Sequence, residues 1–272
     1  MTNWSLKEND ILRYSKQIIL PEFGADGQNK LKNAKVLVIG AGGLGSPALL
    51  YLAAAGVGTV GIADFDRVAL SNLNRQIIHF TEDIGQLKVD SAAEKINCLN
   101  PEIKIVKYDF RLTIDNIEEV IRDYDVIIDA TDNFTARYLI SDCCYFLGKP
   151  LIEGAAAEYF GILMTIIPGK TPCYRCLYPN PPEDGTMPSC NDNGILGVVT
   201  GIIGSLQALE AVKVITGLGK TVSGRLIAFD ALNSEFSDLE LRSDPECALC
   251  GNNPTIVDLV EYEIKCQAKE VY

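Results

Sequence analysis

The stretch from Lys35 to Asp66 constrains the fold of this chain more than any other. It opens with a short apolar run, continues through glycines in the pattern Gly-x-Gly-Gly-x-Gly, and passes along an Ala/Leu-rich segment to a second apolar run. A strand, a glycine turn, a helix and a second strand in this order form the nucleotide-binding unit of open α/β sheets. The pattern therefore predicts such a sheet, with a ligand at the glycine turn.

Each conserved feature of such a turn has a physical reason. Gly40 permits the tight turn, Gly42 lets backbone N–H groups approach a phosphate, and Gly45 lets the helix pack closely on the sheet. Asp64 lies about 20 residues further on, where an acidic side chain takes the ribose hydroxyls. Two alternatives stay open on this motif alone: a turn with only a packing role, and a dehydrogenase cofactor in place of ATP.

Apolar runs and helix-capping signals alternate along the rest of the first half. A capping box at Ser5 predicts a helix through about Ser15, and a second short helix is expected at 27–32. Further on, strands at 103–108 and 126–129 alternate with helices at about 88–99, 115–123 and 134–147. This alternation predicts a Rossmann-like, doubly wound, mainly parallel sheet with helices on both faces.

The second half predicts an extension of the sheet. Strands are expected at 150–152, 162–167, 225–229 and 235–241, the last three antiparallel, with a long apolar helix at about 198–215. The length of 272 residues suits one large α/β domain, or one domain with an extension. We expect a single domain over 1–272, made of N-terminal helices (1–33), a nucleotide-binding half (34–150), a second half (151–250) and a C-terminal tail (251–272).

Charge and hydropathy exclude two classes of partner. The chain has 24 basic and 36 acidic residues, a net charge of −12, which argues against nucleic-acid binding because that function needs a basic surface. Glycines or charges interrupt the apolar stretches before about 18 residues, so no membrane-spanning helix is expected. The N-terminus has no signal-peptide pattern, and the expected compartment is the cytoplasm.

Two Cys-x-x-Cys pairs form the strongest single constellation. Cys173 and Cys176 make the first pair, Cys247 and Cys250 the second. Four thiolates without a nearby histidine fit a tetrahedral Zn²⁺ site, and a closed site of this kind has a structural role. The alternative is a redox pair, which would not need two copies.

Two cations and one carboxylate follow the glycine motif. Lys88 is expected in the first turn of a helix, where the helix dipole disfavours a cation unless an anion lies there. With Arg75, from a polar loop, it could contact a polyphosphate; solvated surface charges are the alternative. Asp132 follows a buried strand at the ligand-binding edge of the sheet and is a candidate Mg²⁺ ligand. It could instead cap the next helix, as could Asn133.

Two further side chains could take part in chemistry. Cys190 follows a Pro-rich loop and precedes the long helix, where a lowered thiol pKa would suit a nucleophile; an incidental exposed cysteine is the alternative. His79 is the only histidine and is expected to be a hydrogen-bonding residue of a loop, so the chemistry should not require an imidazole base.

Taken together, these motifs resemble the HesA/MoeB/ThiF family, relatives of the ubiquitin-activating enzymes. The resemblance spans Leu12 to Gly251 and includes the glycine turn, the Asp-Phe-Asp at 64–66, the Ser-Asn-Leu-Asn-Arg-Gln at 71–76, the Asp-Ala-Thr-Asp-Asn at 129–133 and the Cys-Tyr-Arg-Cys at 173–176. It implies adenylation of the C-terminal glycine of a small ubiquitin-like sulfur-carrier protein ending in Gly-Gly, as in molybdopterin or thiamine-thiazole biosynthesis.

The resemblance also assigns roles to residues. It implies ATP and Mg²⁺ binding by Gly43, Asp64, Asn72, Arg75, Lys88, Asp132 and Asn133, with the neighbouring motif residues Gly40, Gly42, Asp66, Ser71, Asn74 and Gln76 in the same site. The four cysteines match the Zn²⁺ ligands of the family. Cys190 aligns with a cysteine that some members link covalently to the carrier.

Assembly and sulfur supply are further expectations from the resemblance. The family forms homodimers in which an N-terminal cation, here Arg13 or Lys16, reaches the ATP of the partner subunit. Lys16 stands where the family usually has Arg, and it cannot form a bidentate contact to phosphate. No rhodanese segment follows the tail in this sequence, so we expect a separate sulfurtransferase. A nicotinamide-dependent oxidoreductase, a non-catalytic interaction module and an enzyme that activates a small-molecule or tRNA-bound carboxylate are the alternatives.

Overall fold

The computed structural model describes residues 6–182, 194–260 and 262. Three short helices precede the sheet: α1 (Glu8–Arg13), α2 (Ser15–Ile18) and α3 (Gly24–Asn33). Strands and helices then alternate as β1 (Lys35–Ile39), α4 (Gly45–Ala55), β2 (Thr59–Ala63), α5 (Lys88–Leu99), β3 (Lys104–Tyr108), α6 (Ile117–Arg122), β4 (Val126–Asp129) and α7 (Phe134–Phe146).

The second half adds strands and one long helix. Its elements are β5 (Leu151–Ala157), β6 (Phe160–Ile166), the short α8 (Tyr174–Leu177), α9 (Gly197–Thr216), β7 (Arg225–Asp230) and β8 (Glu235–Glu240). All strands join one sheet in the order β3-β2-β1-β4-β5-β6-β7-β8. Pairings from β3 to β5 are parallel, and those from β5 to β8 are antiparallel. The predicted fold class is confirmed.

Side chains of β1 alternate between two cores. Val36 and Val38 pack on one face of the sheet with residues of α4, α5 and α9, whereas Leu37 and Ile39 pack on the other with residues of α6 and α7. Because both faces of this strand are covered by helices, all four side chains are buried, which explains the uninterrupted apolar run in the sequence. In the sheet, β2 and β3 lie on one side of β1, and β4 and β5 lie on the other. Open α/β sheets bind ligands at the point where the strand order switches in this way.

The glycine turn after β1 is packed against its surroundings. Gly40 has φ +98°, and a Cβ there would lie 2.7 Å from the carbonyl oxygen of Ala130, just after β4. A Cβ at Gly45 would lie 1.9 Å from the carbonyl oxygen of Gly40. Both positions therefore require glycine, and the start of α4 is drawn close to the ends of β1 and β4.

Several elements differ from their predicted bounds: α3 begins at Gly24 and not at 27, and β6 begins at Phe160 and not at 162. Two further differences, in α1 and β5, have a clear physical reason. The first helix ends at Arg13, because Tyr14 leaves the helical region (φ −99°, ψ 13°) and the chain begins a new short helix at Ser15. Strand β5 continues past the predicted end at 152, to Ala157. Its antiparallel pairing with β6 extends as far as Ala157 opposite Phe160, so tertiary pairing overrides the weak strand propensity of this Gly/Ala-rich segment.

Helix α9 is the one helix in the described part of the chain with the length and hydropathy to cross a membrane. It contacts α4, β5 and β6. A Cβ at Gly204 would lie 2.1 Å from the carbonyl oxygen of Leu44, so the small residue allows a close approach to the start of α4.

Candidate active site

A cavity of about 450 Å³ opens where β1 and β4 end. Many of the residues singled out from the sequence line it: Gly40, Gly42, Gly43, Asp64, Asp66, Arg75, Gln76, Lys88, Asp132 and Asn133. The structure thus brings the glycine motif, the acidic motif, both cations and the strand-end carboxylate to one place.

The floor of the cavity is the glycine turn. Gly42 and Gly43 line it directly before α4, whose first backbone N–H groups have no partner within the helix. A Cβ at Gly43 would lie 2.8 Å from the hydroxyl oxygen of Thr200 on α9, so this position also needs glycine. Exposed amides and the positive end of a helix dipole make this floor suited to an anionic group.

Asp64 is held rigidly at the end of β2. Its Oδ2 accepts a hydrogen bond from the Ala41 amide at 2.8 Å, and its Oδ1 accepts one from the Asp66 amide at 2.9 Å. Burial raises the pKa of Asp64, and the ammonium of Lys88, 3.9 Å from Oδ2, opposes that rise. Each oxygen keeps a second lone pair, so the carboxylate can accept bonds from hydroxyls of a ligand.

Lys88 occupies the first turn of α5 as predicted, and it is only 6% exposed. Its ammonium donates to Asp66 Oδ2 at 2.8 Å, so a carboxylate provides the anion that this placement requires. Asp66 is itself largely exposed at the cavity. The lysine is therefore paired, and not a solvated surface charge.

Arg75 reaches the cavity from a tightly folded loop. Its Nη1 donates to the Ser71 carbonyl at 2.9 Å and to Asn74 Oδ1 at 3.0 Å. The Asn72 side chain accepts from the Ala69 amide at 3.1 Å. Ser71, Asn72 and Asn74 do not line the cavity as the structure describes it; they shape the loop that carries Arg75.

Asp132 and Asn133 lie at the cavity just before α7. Asn133 is the N-cap of this helix, because its Oδ1 accepts from the Ala136 amide at 2.9 Å. The capping role considered for Asp132 therefore belongs to its neighbour. The Asp132 side chain is exposed, where it can meet a ligand in the cavity.

Three charged residues without a predicted role hold this loop in place. Asp129 Oδ1 accepts from the Thr131 amide at 2.8 Å and from its hydroxyl at 2.7 Å, and Arg137 donates to the Thr131 carbonyl at 2.6 Å. Arg137 also forms a buried ion pair with Glu153. The signal available in the sequence was the presence of acidic residues inside two buried strands.

Other lining residues were also missed. They are Phe65, near Asp64, and Phe110, Arg111 and Leu112, which follow the next strand end. Phe65 lies within the Asp-Phe-Asp motif but had no predicted role. The other three belong to no motif, and only the folding of the segment after β3 toward the cavity brings them there.

The two candidate N-terminal cations lie outside this cavity. Arg13 donates to the carbonyl of Leu99, the last residue of α5, at 3.0 Å. Lys16 is exposed. Neither residue is among the described residues that line the cavity of its own chain. This position is compatible with a contact to the cavity of a partner subunit. Cys190 lies outside the described residues.

The four cysteines of the two pairs meet at one point. Their sulfur atoms all lie within 4.8 Å of one another, with 3.5 Å between Cys173 and Cys247 and 3.3 Å between Cys176 and Cys250. Sulfurs around a tetrahedral Zn²⁺ ion with bonds of about 2.3 Å lie roughly 3.8 Å apart. The donor set and spacing fit such an ion, and the residues brought together are the predicted ones.

Arg175, between the first two cysteines, is anchored in the core. It is 2% exposed, and it forms a two-pronged ion pair with Asp142 of α7, at 2.9 Å and 2.7 Å. It also donates to the Tyr262 hydroxyl at 2.9 Å and lies over the Tyr138 ring. The cysteine cluster is thereby joined to α7.

The chain matches the ThiF family over residues 14–249, which include the glycine turn, the cavity and three of the four clustered cysteines. The chain belongs to the ThiF family. The predicted family is confirmed, and the cavity at the strand switch is the candidate active site of this ThiF family member.

Named relatives agree with this membership. The chain is 46% identical over 268 residues to a sulfur carrier protein adenylyltransferase of Thermus thermophilus, covering 97% of this chain and 98% of that protein. It is 48% identical over 265 residues to the adenylyltransferase and sulfurtransferase MOCS3 of Culex quinquefasciatus, covering 97% of this chain. It spans only 60% of the length of that MOCS3 protein.

Solved structures share the fold. A crystal structure of E. coli MccB with ATP has a TM-score of 0.77 at 21% identity, over 91% of this chain and 75% of that chain. A structure of MccB alone has a TM-score of 0.80 at 20% identity, over 97% of this chain and 78% of that chain. The ThiF family chain therefore has the architecture of MccB.

Proposed function

We propose that this protein adenylates the C-terminal glycine of a small ubiquitin-like sulfur-carrier protein, with release of pyrophosphate. The observation that carries the proposal is the convergence of the glycine turn, Asp64, Lys88, Arg75 and Asp132 on one cavity. Membership of the ThiF family and the name of the Thermus thermophilus relative, which the chain matches over nearly its whole length, support the same reaction.

Each wall of the cavity suits one part of ATP. The amides of Gly42 and Gly43 suit phosphate oxygens, and the fixed carboxylate of Asp64 suits the ribose hydroxyls. Lys88 and Arg75 supply positive charge beside the place for the phosphates. Gln76 is buried, its Oε1 has no hydrogen-bond partner among the described residues, and it lines the cavity, so it can accept a bond from a donor of the ligand.

The reaction needs charge neutralisation and alignment more than proton transfer. An oxygen of the carrier carboxylate attacks the α-phosphorus, a new C–O–P linkage forms, and the bond to the β-phosphate oxygen breaks with its electron pair leaving on pyrophosphate. The nucleophile is already ionised at neutral pH, so no general base is required. The cations of the cavity stabilise the charge that moves onto the leaving group.

Two metal ions are part of the proposal. Asp132 is exposed at the cavity, beside the glycine turn, and would hold Mg²⁺ on the nucleotide, as carboxylates do in such sites. The ion would screen the negative charge of the phosphates. The four clustered cysteines would hold Zn²⁺ in a closed structural site.

The proposed assembly is a homodimer in which a cation of one subunit reaches the ATP of the other. Lys16 is the better candidate, because the Arg13 guanidinium already contacts the end of α5 in its own chain. A separate sulfurtransferase would then convert the acyl-adenylate to a thiocarboxylate. Cys190 would serve a covalent link to the carrier, if this member uses one.

Pyrophosphate exchange tests the proposal directly. Purified protein is incubated with ATP, Mg²⁺, labelled pyrophosphate and a carrier that ends in Gly-Gly, and label entering ATP is measured. We expect exchange only with the intact carrier, and none with a carrier lacking its last glycine. Absence of exchange with every tail-exposed carrier, or oxidation of NADH by the protein, would refute the assignment.

A further inference from the structure

The only histidine of the chain lies beneath the glycine turn. His79 is 3% exposed, and both of its ring nitrogens have partners. Nε2 lies 2.9 Å from the carbonyl oxygen of Ala41, and Nδ1 lies 2.7 Å from the hydroxyl oxygen of Ser91. The expectation of a hydrogen-bonding histidine is confirmed, and its partner is the main chain of the nucleotide-binding turn.

Partner chemistry assigns the protons of this ring. A carbonyl oxygen only accepts, so Nε2 carries the hydrogen and donates to Ala41. Burial lowers the pKa of His79 and favours the neutral ring, in which Nδ1 accepts from the Ser91 hydroxyl. If the ring is protonated, Nδ1 donates to Ser91, whose hydroxyl can turn to Asp83 Oδ2, 2.9 Å away. The Nε2–H donor to Ala41 persists in both states.

The surrounding network keeps this ring in place. Asp83 is 3% exposed, and its carboxylate accepts from the Phe80 amide at 2.7 Å and from the ammonium of Lys95 at 2.6 Å. Asp83 therefore holds the loop that contains His79, and it accepts the Ser91 hydroxyl proton when the ring is protonated. None of these side chains lines the cavity.

The geometry of one peptide unit connects His79 to the ligand. The carbonyl of Ala41 and the N–H of Gly42 belong to the same peptide bond, which is planar and trans, so they point in opposite directions. The Ala41 amide on the other side of that residue is held by Asp64. Because His79 holds the Ala41 carbonyl, the Gly42 N–H points away from the buried ring, and Gly42 itself lines the cavity.

We propose that His79 is a positioning residue, which aims the Gly42 amide at a phosphate of the bound nucleotide without touching the nucleotide itself. A hydrogen bond to the carbonyl also polarises the peptide and strengthens its N–H as a donor. This inference rests on the proposed ATP site and adds to it a residue that acts through the main chain.

Two substitutions at this position separate positioning from packing. His79→Phe keeps an aromatic ring and removes the donor, whereas His79→Gln keeps an amide N–H at about the reach of Nε2. The dissociation constants of ATP and of adenosine are measured for each by calorimetry, with thermal unfolding as the check on folding. Adenosine lacks phosphates, so its affinity reports the rest of the site.

We expect His79→Phe to weaken ATP binding roughly tenfold, because one well-placed hydrogen bond is lost. Adenosine binding should stay unchanged. His79→Gln should bind ATP nearly as the wild type does. Wild-type ATP affinity in the Phe variant would overturn the inference. So would an equal loss of ATP and adenosine affinity in both variants, which indicates a general structural role.

A third variant tests the inference in case His79→Phe does not fold. Ser91→Ala removes the partner of Nδ1, which holds the ring in place beside Ala41. It should weaken ATP binding roughly threefold with adenosine unaffected; unchanged ATP affinity would overturn the inference. Because ATP affinity is measured without the carrier, these outcomes are distinct from the exchange test. A wild-type protein that binds ATP but exchanges no pyrophosphate refutes the proposed reaction and not the role of His79.

Discussion

The ammonium of Lys88 lies 2.8 Å from a carboxylate oxygen of Asp66, inside a cavity whose floor is made of backbone amides. This pair explains how a buried cation is tolerated at the start of a helix before any ligand binds. A polyphosphate offers more negative charge than one carboxylate, so ligand binding can redirect the lysine by a short movement of a flexible side chain.

Replacement of Lys88 by methionine should lower pyrophosphate exchange about a hundredfold, since one group that stabilises developing charge is lost. The methionine retains an apolar stem, so its packing is close to that of the lysine. Exchange rates and thermal unfolding are measured together, with Lys104→Met, an exposed lysine on β3, as the control. Exchange at the wild-type rate would mean that Lys88 serves only to bridge Asp64 and Asp66.

Asp132→Ala should abolish Mg²⁺-dependent exchange and leave the melting temperature nearly unchanged. The reason is that Asn133, and not Asp132, caps α7, so the helix keeps its start. Glu119→Ala, which removes an exposed carboxylate on α6, is the control and should exchange normally. Near-normal exchange in Asp132→Ala would remove the proposed Mg²⁺ role.

Metal analysis should find one Zn²⁺ per chain in the wild type and none in Cys173→Ser. Loss of a structural metal should lower the free energy of unfolding by about 4 kcal/mol or more. Cys98→Ser, at an exposed position on α5 away from the cluster, should change neither metal content nor stability. Full stability of the wild type after removal of metal by a chelator would contradict the structural role.

The carboxyls of Glu153 and Asp129 give a prediction that depends on pH. Burial raises the pKa of Glu153, the neighbouring Asp129 carboxylate raises it further, and the Arg137 guanidinium on the other carboxyl oxygen opposes the rise without cancelling it. Asp129 Oδ2 and Glu153 Oε2 are buried oxygens for which no other partner is found among the described residues, and a shared proton would satisfy both. Glu153→Gln imitates the protonated form, because its amide can donate to Asp129.

A raised pKa in the folded state means that stability is present at low pH and is lost as pH rises through that pKa. Starting near pH 4.3, the ordinary pKa of a glutamate, the unfolding free energy of the wild type should therefore fall relative to that of Glu153→Gln. Chemical denaturation of both proteins across a pH series measures the difference. A difference that is constant with pH would show that folding does not raise the pKa of Glu153.

Local patterns were sufficient to predict much of this fold and site. The alternation of apolar runs and helix signals gave α5 (88–99) and β4 (126–129) to the residue, because these elements are set by side chains close in sequence. Asp64, Lys88 and Asp132 each follow or begin a regular element, so their meeting at one edge of a parallel sheet could be inferred. The length of β5 could not, because it depends on pairing with β6.

Contacts between distant parts of the chain could not be predicted from local sequence patterns. Arg175 and Asp142 are 33 residues apart, and neither periodicity nor spacing indicates that an arginine between two metal ligands enters the core. The bond from Arg13 to the end of α5 joins residues 86 positions apart. Similarly, His79 lies in an ordinary polar loop, and only the folded turn shows that it faces Ala41.

Helix α7 begins beside Asp132 and ends beside the cysteine cluster, where Tyr145 packs. At 1.5 Å per residue, its 13 residues form a rod of about 20 Å between the two. Arg175 holds the C-terminal end of α7 through its ion pair with Asp142. Removal of the proposed Zn²⁺ should therefore loosen the other end of α7, beside the cavity. A protein depleted of zinc would then adenylate a carrier poorly, even though every residue around the proposed ATP site is unchanged.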